Sequence, residues 1–247
     1  STLLKYADVS FYLAETPSAL QELGRELLKG RATPSRVATP KHPVVMTLDD
    51  QNAELHIAAA IISRYGHLPH ALALDRLHED KAATESVLRV ALGNRGPHDT
   101  PIREFEHAFF QHEIVMDYGA WRDIQRHRMC TQSNQTLGVN LGYDMPTEIA
   151  ELGHADDFHR VMNKAAELHN ELLANGLEVE AEYVVPMAYR RRLIVSWNLR
   201  ELFHFIELRS SRKGHPSYRR IAQELWRTLD ETHPRLAAFI RVDFSTD

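Results

Sequence analysis

The stretch WRDIQRHRMCTQSNQT, residues 121–136, gathers Arg122, Arg126, His127 and Arg128 into one short segment of a chain whose formal net charge is -5. Concentrated positive charge on an acidic background is either a solvated, salt-bridged surface or a seat for phosphate or carboxylate. Surface charges often need no function, so an isolated Arg-His-Arg decides nothing. The residues after it are more informative. Thr131, Gln132, Ser133, Asn134, Gln135 and Thr136 form a polar run with almost no side chain fit for a core. Such a run predicts a loop whose hydroxyls, amides and backbone N–H groups bind a polar ligand. A basic tripeptide feeding that loop reads as a phosphate cradle.

At 247 residues the chain is long enough to bury a substantial core, as one large domain or a domain with a short appendage. It is 43% apolar and 26% charged, and no uninterrupted apolar run is long enough to span a bilayer, so a membrane partner is not expected. The opening residues, STLLKYADVSFYLAE, lack the basic flank and apolar block of a secretory signal. Cys130 is the single cysteine, which rules out an intrachain disulfide and fits a reducing cytoplasm. The acidic balance argues against a nucleic-acid partner. Fifteen histidines are present, yet no His-Glu-x-x-His or Cys-x-x-Cys occurs, and His67 and His70 flank Leu68-Pro69, where proline spoils a helical ligand pair. No metal site is read.

Periodicity predicts the framework. Residues 17–29 carry Leu20, Leu23, Leu27 and Leu28 on one helical stripe, and residues 30–43 hold three prolines and Gly30, an arm or linker. The main domain is therefore expected at 44–247, preceded by a helix and proline-rich arm at 1–43. Residues 44–48 form an apolar run fit for a strand. Helices are expected from Gln51 to Tyr65, over 70–78, and over 80–92 before Gly93. Residues 114–126 read as a helix delivering the basic cluster at its end. Residues 154–174 read as a long helix with Phe158, Val161, Met162, Ala165, Leu168 and Leu172 as its buried stripe, ended by Asn175-Gly176. Arg190-Arg191-Arg192 fits an exposed strand edge, where charge deters aggregation. Arg200, His204 and Glu207 follow i, i+4, i+7 and share one helix face, opposite Leu199, Leu202, Phe203 and Ile206; Arg209 lies about half a turn round from Arg200. PSALQELGREL also loosely echoes PSYRRIAQEL at 216–225, as either the tail of a preceding repeat or two short helices alike by chance would.

Two blocks carry a resemblance to the flavin-dependent thymidylate synthases, covering roughly residues 44–244. RHRMCTQSNQT is similar to that family's Arg-His-Arg signature, with Thr131 and Thr136 where serines are usual and Gly138 where the family has its final Arg. His98-Asp99-Thr100 followed by Glu106-His107 resembles its His-Glu-Ser/Thr segment. In VVPMAYRRRLIVSWNLRELFHFIELRSSRKGHPSYRRIA, residues 184–222, the proline-led strand, Asn198-x-Arg200, the closing Arg209 and Arg219-Arg220-x-Ala222 resemble the second block.

The resemblance implies an α/β (α+β) fold, a small antiparallel or mixed sheet wrapped by long helices, assembled as a homotetramer. It implies a methyltransferase that reduces FAD with NADPH and moves a one-carbon unit from methylenetetrahydrofolate to C5 of dUMP, giving dTMP. Thr100, Arg126, His127, Arg128, Asn134, Asn198, Arg200 and His204 fall at flavin-contacting positions. Asp123, Arg126, Thr136 and Arg209 fall at substrate positions, with Arg209 and Thr136 the catalytic candidates. The nucleotide phosphate is normally held by two arginines whose places here are Gly138 and Glu182, so that grip is degraded. The alternative is a silent or repurposed flavin-binding homologue that supports an active copy or takes another substrate. The family uses no cysteine nucleophile, so Cys130 is expected to be dispensable.

Overall fold

In the computed structural model the chain divides into two units, Ser1–Ala38 and Thr39–Asp247. Residues 19–24, 26–27 and 42–245 are described. In the first unit the described residues are helical, and Leu20, Leu23 and Leu27 are exposed rather than buried as a stripe. Leu28, most of the proline-rich arm and the start of the internal echo lie outside the described residues.

The second unit is built on a four-stranded sheet of order β1-β2-β4-β3, antiparallel throughout. Strand β1 is Val44–Leu48. Three helices follow, α1 (Ala53–Tyr65), α2 (His70–Glu79) and α3 (Lys81–Leu92), the last capped by Gly93 donating to the Arg89 carbonyl. A 3₁₀ turn at Arg103–His107 leads into β2 (Phe109–Asp117), then α4 (Tyr118–Ile124) and β3 (Cys130–Asn134). Helices α5 (Thr147–Glu151), α6 (Ala155–Ala174) and α7 (Glu178–Tyr183) precede β4 (Arg190–Asn198). The chain closes with α8 (Leu199–Arg209), α9 (Pro216–Thr232) and α10 (Pro234–Ala237).

One face of the sheet is the core. Phe110, Ile114, Leu193, Val195 and Trp197 alternate along β2 and β4 and are fully buried with Ile57 of α1, Phe203 and Ile206 of α8 and Leu225 of α9. A polar chain runs through this apolar layer and is satisfied at every member. Trp197 Nε1 donates to His112 Nδ1 at 3.0 Å, His112 Nε2 meets Thr228 Oγ1 at 3.2 Å, and Thr228 Oγ1 donates to the Leu225 carbonyl. The chain locks the sheet to α9 in one orientation.

Four expectations are corrected here. Residues 114–117 belong to β2 rather than a helix, because HEIVMD continues a period-2 pattern into the core and Asp117 then caps α4 by accepting from Ala120 N at 2.7 Å. The polar run after the basic cluster is not a loop but edge strand β3, whose backbone pairs with β4 from Cys130 to Asn134. Hydroxyl and amide side chains do not prevent ladder bonds, and an edge strand needs little apolar character. Arg190–Arg192 open β4, a central strand rather than a sheet edge, and Arg191 is 8% exposed. Helix α6 does end at Asn175, with Gly176 at φ +74° supplying the left-handed turn. Its apolar stripe is mostly uncovered, however: Met162 is buried, whereas Val161 and Leu168 are exposed and Phe158, Ala165 and Leu172 are half-buried.

Burial holds His112 neutral, with its pKa lowered to about 3 from the usual 6.5. Between those values the unfolded chain binds the extra proton and the folded chain does not, so stability falls as pH drops from about 6.5 towards 3. The His112 contribution is up to about 1.4 kcal/mol per pH unit. Urea unfolding at pH 7 and 4.5 is expected to show that loss, and His112→Gln, which can still accept from Trp197 and donate to Thr228, should remove its part of the slope.

Candidate functional site

The basic tripeptide occupies the turn between α4 and β3. Gln125 N closes α4 on the Trp121 carbonyl, and the Gln132 side chain reaches back to the carbonyls of Ile124 and His127 at 3.2 and 3.3 Å. The turn is thereby fixed from both ends, and its three side chains separate. Arg126 and Arg128 are exposed and make no hydrogen bond or ion pair with any described residue. His127 points the other way and is buried.

Buried His127 is the centre of a hydrogen-bonded chain across the molecule. Its Nδ1 lies 2.8 Å from Glu201 Oε1, and its Nε2 accepts from Arg209 Nε at 3.0 Å. Because the guanidinium can only donate, Nε2 is the acceptor and the imidazole carries its proton on Nδ1, donating to Glu201. Arg209 Nη2 donates in turn to the Asp123 carbonyl at 2.7 Å, and the guanidinium lies 5.3 Å from the Tyr218 ring centroid. Asn198 caps α8 by accepting from Glu201 N at 2.9 Å, leaving the Glu201 side chain for His127. Glu201 and Tyr218 were not singled out from the sequence. The Asn-x-x-Glu spacing at the start of α8 is the signal that would have found Glu201, since it is the capping-box position.

The outer face of α8 grips the segment before β2. Arg200 donates to the Pro101 carbonyl at 2.7 Å, to Thr100 Oγ1 at 3.1 Å and to Glu106 Oε1 at 3.2 Å. About two turns further on, Glu207 accepts from Arg95 and Arg241, which also hold the Asp99 carbonyl. Between these clusters His204 is exposed, its ring centroid 5.7 Å from that of His127. Thr100, Arg200, His204, His127, Asn198 and Arg209 are therefore all tied to α8, in two clusters on different faces of it. Asn134 and Thr136 stand exposed along and just beyond β3, and Thr136 bonds to no described residue.

Gly138 and Glu182, the two positions where the resemblance leads one to expect arginines, lie close together, since Glu182 Oε2 accepts from Leu137 N, next to Gly138, at 3.2 Å. A separate cleft of about 670 Å³ borders Asp117, Asp123, Asp144 and Glu148, with Arg220 and His215 as its basic members. It contains none of Arg126, Arg128 or His204. Its carboxylate excess makes it a poor seat for a phosphate dianion. Among the described residues no group of acids, histidines or cysteine has the arrangement of a metal site. Cys130 is half-buried, its Sγ bonded to the His127 carbonyl at 3.1 Å, and burial pushes its pKa up. A raised thiol is a poor nucleophile at neutral pH. Two outcomes are expected. Cys130→Ser should fold and bind ligands as the parent does, and Cys130 should label slowly with a thiol reagent at pH 7. Glu201→Ala leaves the buried His127 N–H unsatisfied and should cost about 1–3 kcal/mol in urea unfolding.

The sequence model of the thymidylate synthase complementing protein family, Thy1, matches residues 45–235. A UPF0159 protein of Chlamydia pneumoniae is 34% identical over 229 residues, 90% of this chain and 43% of that protein. A second, from Chlamydia muridarum, is 40% identical over 149 residues, 60% of this chain and 28% of its own length. The chain thus spans less than half the length of these curated relatives. A flavin-dependent thymidylate synthase of Pyrococcus abyssi is 32% identical over 141 residues, 53% of this chain and 57% of that one. Among solved structures, the UMP/dUMP methylase PolB from Streptomyces cacaoi bound with 5-Br dUMP superposes with TM-score 0.63 at 19% identity, over 79% of this chain and 93% of that one, a likeness of fold. With the family model covering most of the chain, and its two motif blocks joined through His127 and Arg209, this chain belongs to the thymidylate synthase complementing protein family.

Proposed function

We propose that this chain is a flavin-dependent methyltransferase of the thymidylate synthase type, acting on dUMP with methylenetetrahydrofolate and NADPH as co-substrates. The observation that carries this reading is the buried Glu201–His127–Arg209 chain. It joins the Arg-His-Arg turn to the end of α8, although the two blocks lie far apart in sequence. The donor set fits a flavin. Arg126 and Arg128 are exposed cations with unused donors, and His204 and Asn134 are exposed beside the same turn and strand, as an anionic pyrophosphate and an electron-rich ring edge require. Arg200 lies one turn before His204 on α8 and holds Thr100, in the segment before β2, through Oγ1. Bound FAD would supply hydride transfer at this site.

The chain's own groups then have distinct tasks. Arg126 and Arg128 bind anionic oxygens. His127 positions rather than contacts, because both its ring nitrogens are already engaged. Arg209 is held at Nε and Nη2, which leaves Nη1 to donate to a pyrimidine carbonyl and to stabilise negative charge gathering there. Thr136 and Asp123 would meet the substrate by the resemblance alone. The exposed apolar stripe of α6 and the outer sheet face, where Val45, Phe109 and Ile194 are exposed, support an oligomer such as the tetramer of the resemblance.

One observation favours a second reading, a silent copy supporting an active one: the Glu182 carboxylate lies beside Leu137 and Gly138, where the resemblance leads one to expect the arginines of a phosphate grip. Flavin titration separates the readings. Purified protein is expected to bind FAD, and Arg128→Ala should weaken binding by ~1.5–3 kcal/mol, the range for a charge-assisted hydrogen bond. Equal retention by parent and mutant would remove the assignment of Arg128, and no flavin uptake by the parent would favour the silent copy. Light scattering should show an oligomer that Leu168→Glu weakens.

A further inference from the structure

Arg190, Arg191 and Arg192 are chemically alike, but β4 sorts them. Consecutive strand residues alternate between faces, so Arg191 shares the core side with Leu193 while Arg190 and Arg192 face outward. Arg190 is committed to Asp144 through Nε at 3.0 Å and through Nη2. Arg192 Nε lies 3.5 Å from Glu113 Oε1, an ion pair without a hydrogen bond. Arg191 has no carboxylate within ion-pair distance among the described residues. Its guanidinium lies 4.3 Å from the Trp121 ring centroid and 5.7 Å from that of Tyr118, and those two rings are stacked.

Arg191 is nine-tenths buried, yet its donors are underused. Nη2 donates to the Gln135 carbonyl at 2.7 Å, while Nε is buried without an acceptor, as is the indole Nε1 of Trp121. A desolvated cation with unfilled donors is costly until an anion supplies them, and stacking on Trp121 offsets only part of that. Its surroundings are those of the missing phosphate grip. Gln135 begins the segment that reaches Gly138, and the Glu182 carboxylate, bonded to Leu137 N, acts electrostatically on Arg191 against the lowering effect of burial.

We infer that Arg191, presented from β4 on the Trp121 platform, is the residue that makes this site select a phosphate monoester, in place of the arginines absent at 138 and 182. The inference rests on the proposed nucleotide substrate. Glu182 acts electrostatically on Arg191, so the pair's combined charge is near zero, where two arginines would give a strongly positive site. Selectivity for the phosphate is therefore expected to be present but modest, and Glu182 limits it.

Calorimetry of the full chain with FAD, titrated with dUMP and with deoxyuridine, tests this, with the affinity ratio as readout and circular dichroism and the thermal midpoint as fold controls. Arg191→Met should lower the ratio roughly 10- to 100-fold without weakening deoxyuridine, the loss of one charge-assisted contact. Arg192→Met should leave the ratio unchanged. Glu182→Gln, which can still accept from Leu137 N, should raise it roughly tenfold, and only while Arg191 is present. An unchanged ratio in Arg191→Met overturns the inference and leaves the nucleotide reading standing. If Arg191→Met does not fold, a ratio unchanged or lowered in Glu182→Gln overturns it equally. A parent protein that binds deoxyuridine as well as dUMP overturns the phosphate-bearing substrate itself, and the inference with it.

Discussion

The contact on which the site depends is the one between His127 and its two partners. A neutral imidazole that donates to Glu201 and accepts from Arg209 can occupy only one tautomer and one ring orientation. Burial removes water as an alternative partner, so leaving either nitrogen empty is expensive. That constraint turns His127 inward, and the two arginines flanking it in a tight turn are left outside, exposed and unpaired with any described residue. It also fixes Arg209, whose position would otherwise depend on a flexible side chain at a helix end. The edge-on contact of His127 with Phe205 completes the packing.

Charge is distributed by the same economy of partners. The cations of α8 and its neighbours are mostly committed to the chain itself. Arg200 is spent on Pro101, Thr100 and Glu106, and Arg95 and Arg241 on Glu207. The cleft beside α4 carries an excess of carboxylates. Near the basic turn, the cations with donors still to offer an anion include Arg126, Arg128, Arg209 through Nη1 and Arg191. Local charge density in the sequence therefore overstates the positive potential that a ligand meets, and the number of donors left without partners is the better measure.

The framework keeps this arrangement rigid on one side and open on the other. The sheet buries one face against α1, α8 and α9 and threads the Trp197–His112–Thr228 chain through that layer. Strand β3, which follows the basic turn, hangs on β4, so the turn inherits the rigidity of a central strand. The second face of the sheet and the stripe along α6 keep large apolar side chains exposed.

Much of this was legible in the residues themselves. Apolar periodicity located β1, the three helices before Gly93 and the α8 face, because a 3.6- or 2-residue repeat is imposed by the backbone whatever it packs against. The order of the two motif blocks placed the family and the antiparallel sheet among helices. Other features depended on what lies opposite a residue in space. The polar run 131–134 became a strand because β4, at Arg190–Asn198, offers it a hydrogen-bonding edge, a partner too distant in sequence for local propensity to register. Val161 and Leu168 carry the pattern of a core helix but enter no core formed by the described residues. The arginines of β4 read as one charged tripeptide, yet strand alternation sends one beneath Trp121 and two outward. Sequence determined which chemical groups are present and at what spacing; only the tertiary structure decided which of them still have a donor or acceptor to offer.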